Sequence, residues 1–217
     1  MGLELEVSHL YKNYNGNPIL RDCSFAFAAG RTYALQGPNG SGKSTLFRIL
    51  ALLEPADAGQ VKYRQGGRVL AVDLDLRRRL TLVLPGTGIF NTTVFKNVAY
   101  GLKIRGMGRA AIEARVDEVL AAVGLGHKKW QRAVELSSGE TRRLAIARAM
   151  VIAPEVFLLD EPTANIDPAN TAIIEDIILE MKRQRQATIL LITHDPAQAE
   201  RLGDELLFLK DGKLIPA

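Results

Sequence analysis

The chain has 217 residues, 47% of them hydrophobic, with a single cysteine and a formal net charge of +4. That length supports one substantial core, or a core with an inserted subdomain, and lone Cys23 excludes both an internal disulfide framework and a cysteine-rich metal site. No stretch reaches the ~20 apolar residues of a membrane span, and a start carrying Glu4 and Glu6 lacks the basic and apolar blocks of a leader, so a cytoplasmic chain is expected. The basic residues are dispersed apart from Arg77-Arg78-Arg79, so no nucleic-acid partner is expected.

Residues 3–10 alternate Leu3, Leu5 and Val7 with Glu4, Glu6 and Ser8, the pattern of a half-buried strand. A turn over residues 13–18 and a second strand over 19–27 predict an antiparallel sheet beside a nucleotide-binding core. Tyr14 falls in that turn, where its ring can stack on an adenine or serve only as packing. An apolar run at residues 32–35 leads into Gly37-Pro38-Asn39-Gly40-Ser41-Gly42-Lys43-Ser44-Thr45, and residues 46–53 carry apolar side chains at helical spacing. Strand, glycine loop and helix in that order are the context that the phosphate-binding pattern G-x-x-x-x-G-K-[ST] requires. Gly37, Gly40 and Gly42 let backbone N–H groups converge on an anion at a helix start. Lys43 supplies a full charge to the phosphates, and the Ser44 hydroxyl is a Mg²⁺ ligand.

Residues 54–59 break the helix, and short strands are expected over 61–63, 68–72 and 80–84. Between Val94 and Val123 the apolar spacing becomes three and four, which predicts a helical insertion closed by Gly124 and Gly126. Leu136-Ser137-Ser138-Gly139-Glu140 opens a further helix, and two readings stand: an N-cap box, or a second anion-seeking helix end. Val156-Phe157-Leu158-Leu159 is apolar without alternation, as in a parallel strand covered on both faces, and it ends in Asp160-Glu161. Functional groups in such sheets collect at the carboxyl ends of strands. Asp160 is therefore expected to hold Mg²⁺ through water, and Glu161 to take a proton from an attacking water. Asp167-Pro168 starts a helix whose buried stripe is Ile173, Ile174, Ile177, Ile178 and Met181. A strand over 188–193 ends at His194, ahead of the cap Asp195-Pro196, and a Lys210-Asp211-Gly212 hairpin closes the chain.

Taken together, these residues resemble the ATP-binding subunit of an ATP-binding cassette (ABC) transporter, from about Leu3 to Ile215. The resemblance implies an α/β fold: a P-loop NTPase of ABC type with an antiparallel β subdomain and an inserted helical subdomain. A single ATPase domain would then span 1–217, with the nucleotide-binding core and β subdomain in 1–85 and 153–217 and the helical subdomain in 86–152. It casts Tyr14 as the adenine-stacking aromatic, Gly37 to Thr45 as the phosphate loop, and Leu136 to Glu140 as the family signature. Ser44 and Asp160 would hold Mg²⁺, Glu161 would be the general base, Ala164-Asn165-Ile166-Asp167 the loop that follows it, and His194 the switch histidine. It implies ATP and Mg²⁺ as cofactors and a head-to-tail dimer in which Ser137 and Gly139 of one copy hold the γ-phosphate bound to the other. That resolves the two readings of the Ser137 helix start.

Two departures stand out. Ser138 occupies a position usually held by glycine, a mild change if its backbone angles are ordinary. The family's loop glutamine falls at Pro85, which offers neither a metal ligand nor a water-orienting amide. The expected role is an importer ATPase, peripheral on the inner face of the cell membrane, working with a membrane-spanning permease and a solute-binding protein. The expected cargo is an oxyanion such as tungstate, or an amino acid. The alternative is a non-import ABC ATPase: division-linked, lipoprotein-releasing, or a soluble assembly or repair factor.

Overall fold

A computed structural model describes residues 2–86, 88–184 and 186–216. The chain divides into two compact units: Met1–Leu82, Glu155–Glu161 and Glu180–Ala217 form the first, and Val83–Pro154 with Pro162–Leu179 the second.

The first unit is built on sheets. Strands β1 (Glu4–Tyr14) and β2 (Asn17–Phe27) form a hairpin, and β4 (Ala58–Gln65) and β5 (Arg68–Val69) extend it to a four-stranded antiparallel sheet of order β2-β1-β4-β5. The expected turn over 13–18 is shorter in the structure, because Tyr14 pairs with Asn17 inside the ladder and leaves Asn15-Gly16, both at positive φ, to reverse the chain. The second sheet has the order β10-β9-β3-β8-β7-β6, with β3 at Thr32–Gln36, β6 at Leu80–Val83, β7 at Val156–Asp160, β8 at Thr188–Ile192, β9 at Glu205–Lys210 and β10 at Lys213–Pro216. Strand β3 pairs parallel with β8 and β9, and β7 parallel with β8. Every residue of β7 and β8 is buried, as their unbroken apolar runs require of strands covered on both faces.

Helix α1 runs Lys43–Leu50, earlier than the expected 46–53, because it starts at the left-handed cap Gly42. Residues 70–72, expected in a strand, lie outside β5; Asp73 then caps the five-residue helix α2 (Leu74–Arg78), its carboxylate accepting from the Leu76 N–H at 2.9 Å. The basic triplet that follows is partnered locally: Arg77 donates to the Leu52 carbonyl, Arg78 pairs with Asp75 at 3.8 Å and Arg79 with Glu155 at 2.6 Å.

The second unit is helical: α3 (Val94–Ile104), α4 (Arg109–Ala122), α5 (Ser138–Met150) and most of α6 (Pro168–Gln184). Val98, Leu102, Val116 and Leu120 are wholly or almost wholly buried, so the three-and-four spacing does mark the packed faces. In α6, Ile174, Ile177 and Ile178 are buried, but Ile173 is 38% exposed and Met181 only partly covered. The stripe is narrower than expected because Ile173 sits at its edge. Helix α7 (Pro196–Leu202) returns to the first unit, capped by Asp195.

Candidate functional site

At two points between β3 and α1 the chain lies so close to its neighbours that a side chain is excluded. A Cβ on Gly37, at φ +147°, would stand 2.4 Å from the Leu209 carbonyl oxygen, and one on Gly42, at φ +101°, 2.6 Å from Ile19 Cγ2. Both positions demand glycine for conformation and for space. Gly40 is also at positive φ, with open space around it, and Ser41 closes the turn by donating its N–H to the Pro38 carbonyl at 3.2 Å. Asn39 lies exposed within the turn.

Lys43 is 6% exposed and folds back on this loop, its Nζ donating to the Gly37 carbonyl at 2.8 Å and to that of Pro38 at 2.9 Å. Burial lowers its pKa, while the charges of Glu161 and Asp160 act the other way. The Ser41 hydroxyl oxygen is buried without a hydrogen-bond partner. An orphaned donor, a desolvated ammonium and a glycine cradle at a helix start together fit a bound phosphate.

Asp160 ends β7 at 2% exposure. Burial raises its carboxyl pKa, opposed by a hydrogen bond with Ser44 and by the charges of Arg48 and Lys43. A desolvated carboxylate bonded to a hydroxyl is an oxygen donor set suited to a hard divalent cation, so the pair fits Mg²⁺.

Glu161 follows immediately, in the left-handed region at φ +50°. Its N–H reaches the Ile192 carbonyl at 3.2 Å, and its Oε1 lies 3.0 Å from His194 Nε2. Adjacent parallel strands thus bring Glu161 and His194 together from 33 residues apart. Non-glycine residues rarely adopt positive φ, and such strain concentrates at functional positions.

Tyr14 closes β1 rather than lying in the turn. Its hydroxyl donates to Glu54 Oε1 at 2.5 Å, and Lys12 Nζ stands 5.5 Å from its ring centroid. Glu54 also pairs with Lys12 at 3.2 Å and Arg48 at 3.1 Å, and Arg48 reaches Thr45 Oγ1 at 3.3 Å. The Tyr14 bond, followed by those from Lys12 and Arg48, holds the Glu54 carboxyl below the usual range. The tyrosine is therefore anchored, through Glu54, to the helix behind the glycine loop, with its ring still partly exposed. Sequence reasoning missed Glu54, since nothing local marks a partner 40 residues from Tyr14.

The second unit carries the remaining candidates. Ser137 caps α5: its hydroxyl accepts from the Glu140 N–H at 3.3 Å, and Glu140 accepts from the Ser137 N–H at 3.0 Å. Lys128, 2.5 Å from Glu140, is the main reason that carboxyl titrates below the usual range. Ser138 is the first residue of the helix and is not at positive φ, so it replaces glycine without backbone strain. Gly139 is constrained: its Cβ would stand 2.2 Å from Asn170 Cγ. Asn170 is fixed by Asp167, whose two carboxylate oxygens accept from its N–H at 2.9 Å and its Nδ2 at 2.7 Å. Gly139, Asn170 and Asp167 therefore form one packed assembly; the readable signal was a glycine inside a helix, costly unless something packs against it.

Pro85 is held by a side chain that the sequence reading also passed over. Arg142 Nη1 donates to the Pro85 carbonyl at 2.7 Å and to that of Leu84 at 3.2 Å. Among the described residues no helix is long and apolar enough to cross a membrane.

Comparison with known proteins agrees with this geometry. The family model of ABC transporters matches residues 20–164. The chain is 38% identical over 212 residues to the tungstate uptake system ATP-binding protein TupC of Peptoclostridium acidaminophilum, covering 98% of this chain and 97% of that one. It is 37% identical to the phosphate import ATP-binding protein PstB of Thermococcus kodakarensis, covering 99% and 90%. Among solved structures, cbiO1 from Clostridium perfringens, part of the ABC transporter complex cbiONQ, superposes with a TM-score of 0.86 at 29% identity, over 97% of this chain and 86% of that one. The expected fold class is therefore correct, and the chain belongs to the ABC transporter family as one of its ATP-binding, ATP-hydrolysing proteins.

Proposed function

We propose that this chain is the ATPase subunit of an importer, acting as a head-to-tail dimer of single ATPase domains on the inner face of the cell membrane. The oxyanion class of cargo, tungstate or its like, is favoured over an amino acid by the relatives named for tungstate uptake and phosphate import. A membrane-spanning permease and a solute-binding protein complete the assembly in this reading. On the helical unit, exposed Tyr100, Ile104 and Met107 with Phe90, whose ring lies 4.7 Å from that of Tyr100, offer an apolar surface of the kind that a protein partner covers.

One observation carries the catalytic part: Glu161 and His194 meet at 3.0 Å at the carboxyl ends of β7 and β8, next to buried Asp160. The loop from Gly37 to Thr45 cradles the phosphates with backbone N–H groups, and Lys43 brings its charge to them. Ser44 and Asp160 would hold Mg²⁺, which when bound neutralises charge on the phosphates. Glu161 accepts the proton of the attacking water, and His194 fixes the Glu161 carboxylate through their hydrogen bond. Ser137 and Gly139, with Ser138 and Glu140 shaping the same helix start, present N–H groups and a hydroxyl to the nucleotide of the second copy. Asp167 holds the turn that packs behind Gly139. Tyr14 stacks on the adenine.

Glu161→Gln tests this reading, since it keeps the shape of the side chain and removes the base. Turnover should fall on the order of a hundredfold to ten-thousandfold. Gel filtration with ATP and Mg²⁺ should show a stable dimer of the variant. A Glu161→Gln chain that binds ATP and stays monomeric would overturn the composite site.

A further inference from the structure

Arginine is almost never fully buried unless it is paired, and Arg142 in α5 is only 6% exposed. Its partners include two successive carbonyls, Leu84 at 3.2 Å and Pro85 at 2.7 Å. Six residues along the same helix, Arg148 donates to the Gly88 carbonyl at 2.8 Å, and its guanidinium lies 4.5 Å from the centroid of the Phe90 ring. The Asn97 amide holds Phe90 from the other side, accepting from its N–H at 2.9 Å and donating to its carbonyl at 3.0 Å. Among the described residues of this stretch, Pro85 has no N–H to donate, and a Cβ on Gly86 or Gly88 would meet nothing within 4 Å. Arg142 and Arg148 thus act together on one loop from one helix, and that helix begins at Ser137 and Gly139.

We propose that Arg142 is a positioning residue for ATP hydrolysis, pinning the backbone at Pro85 to the helix whose first turn carries Ser137 and Gly139, so that loop and helix start move as one piece. Both bonds come from one nitrogen, Nη1, whose N–H groups lie in the fixed guanidinium plane, whereas an ammonium is a single mobile point charge. Where a glutamine side chain would link this loop to the nucleotide, the chain instead links the loop, through its carbonyls, to the signature helix. This inference rests on the reading that Ser137 and Gly139 meet nucleotide held by a second copy.

The test is steady-state hydrolysis of Mg–ATP by the full chain, with melting temperature and ATP binding measured on the same samples. Arg142→Lys keeps the charge and loses the planar Nη1 group that donates to both carbonyls; it should lower kcat on the order of tenfold with KM for ATP unchanged. Arg142→Ala should lower kcat further, and the lysine variant carries the test should the alanine variant not fold. Because Arg142 and Pro85 touch, Pro85→Gln should change kcat by a different factor in the Arg142→Lys background than in the wild type. Wild-type kcat in Arg142→Lys, or a loss of kcat only in step with ATP binding and melting temperature, would overturn the proposal. If Glu161→Gln dimerises normally while Arg142→Lys is fully active, the composite site stands and the positioning role alone falls. A monomeric Glu161→Gln chain would remove the composite site, and this proposal with it.

Discussion

The two loops that follow β3 and β6 are held in opposite ways. The loop over residues 37–42 is fixed by close approach and by the residue next to it: Gly37 and Gly42 pressed against Leu209 and Ile19, a turn closed on Pro38, and Lys43 folded back onto loop carbonyls. After β6, Gly86 and Gly88 stand in open space, and Leu84, Pro85, Gly88 and Phe90 are held by the side chains of Arg142, Arg148 and Asn97. A loop held by close packing and by the adjoining residue suits a rigid phosphate cradle. A loop held by side chains moves with the elements that carry them, which suits transmission. The same residue type therefore has a different meaning in each place: Gly37 and Gly42 are required by space and conformation, whereas Gly86 meets no neighbour and has no positive φ.

Alanine substitution at one glycine of each loop should give the largest contrast. Gly37→Ala places a Cβ against a backbone carbonyl that cannot yield, and at φ +147° it also meets conformational strain worth about 1–3 kcal/mol. ATP binding should be lost and the urea midpoint should fall. Gly86→Ala meets nothing, and stability should stay within about 0.5 kcal/mol of wild type. If both variants bind ATP equally, close backbone approach is not what holds the first loop.

Lys43→Ala probes the same loop more gently. It removes the charge offered to the phosphates and also the donor shared by the Gly37 and Pro38 carbonyls. Loss of a charge-assisted bond of about 1.5–3 kcal/mol should weaken ATP about tenfold to a hundredfold in a binding titration. Unchanged affinity would mean that the cradle binds phosphate by backbone alone.

This contrast also explains what the sequence could disclose. The glycine loop was legible because its determinants are consecutive, and Asp160-Glu161 because an unbroken apolar run announces a buried strand and its end. Glu161 and His194 were each legible at the carboxyl end of a strand, but their contact was not, because nothing local shows that β7 and β8 are neighbours. Links between distant residues were not legible: Tyr14 to Glu54, Gly139 to Asn170, and Arg142 to Pro85 each join segments whose spacing carries no pattern. Tyr14 was misplaced in a turn because the polar run over residues 12–17 gives no alternation, although pairing to β2 carries the strand through it. Helix α2 escaped because its five residues are too few to show a period, and only Asp73 as a cap betrayed it.

Pro85→Gln should have the smallest effect of the set, and it tests the second loop where that loop departs from its family. The substitution keeps the backbone carbonyl that accepts from Arg142, so the clamp survives, and it adds an amide able to orient water or ligate a cation. One gained positioning interaction with an intact clamp should raise Mg²⁺-dependent kcat several-fold, toward the lower end of the roughly tenfold to thousandfold that such interactions carry. Proline also restricts its own φ and removes an N–H, so the variant's loop is freer in the unfolded chain, which should cost about 0.4–1 kcal/mol of stability. Faster hydrolysis with a slightly lower melting temperature is the expected pair of results. A variant no faster than wild type would mean that another group already orients the water. A slower variant would mean that the rigid proline, together with Arg142, is itself what places the loop.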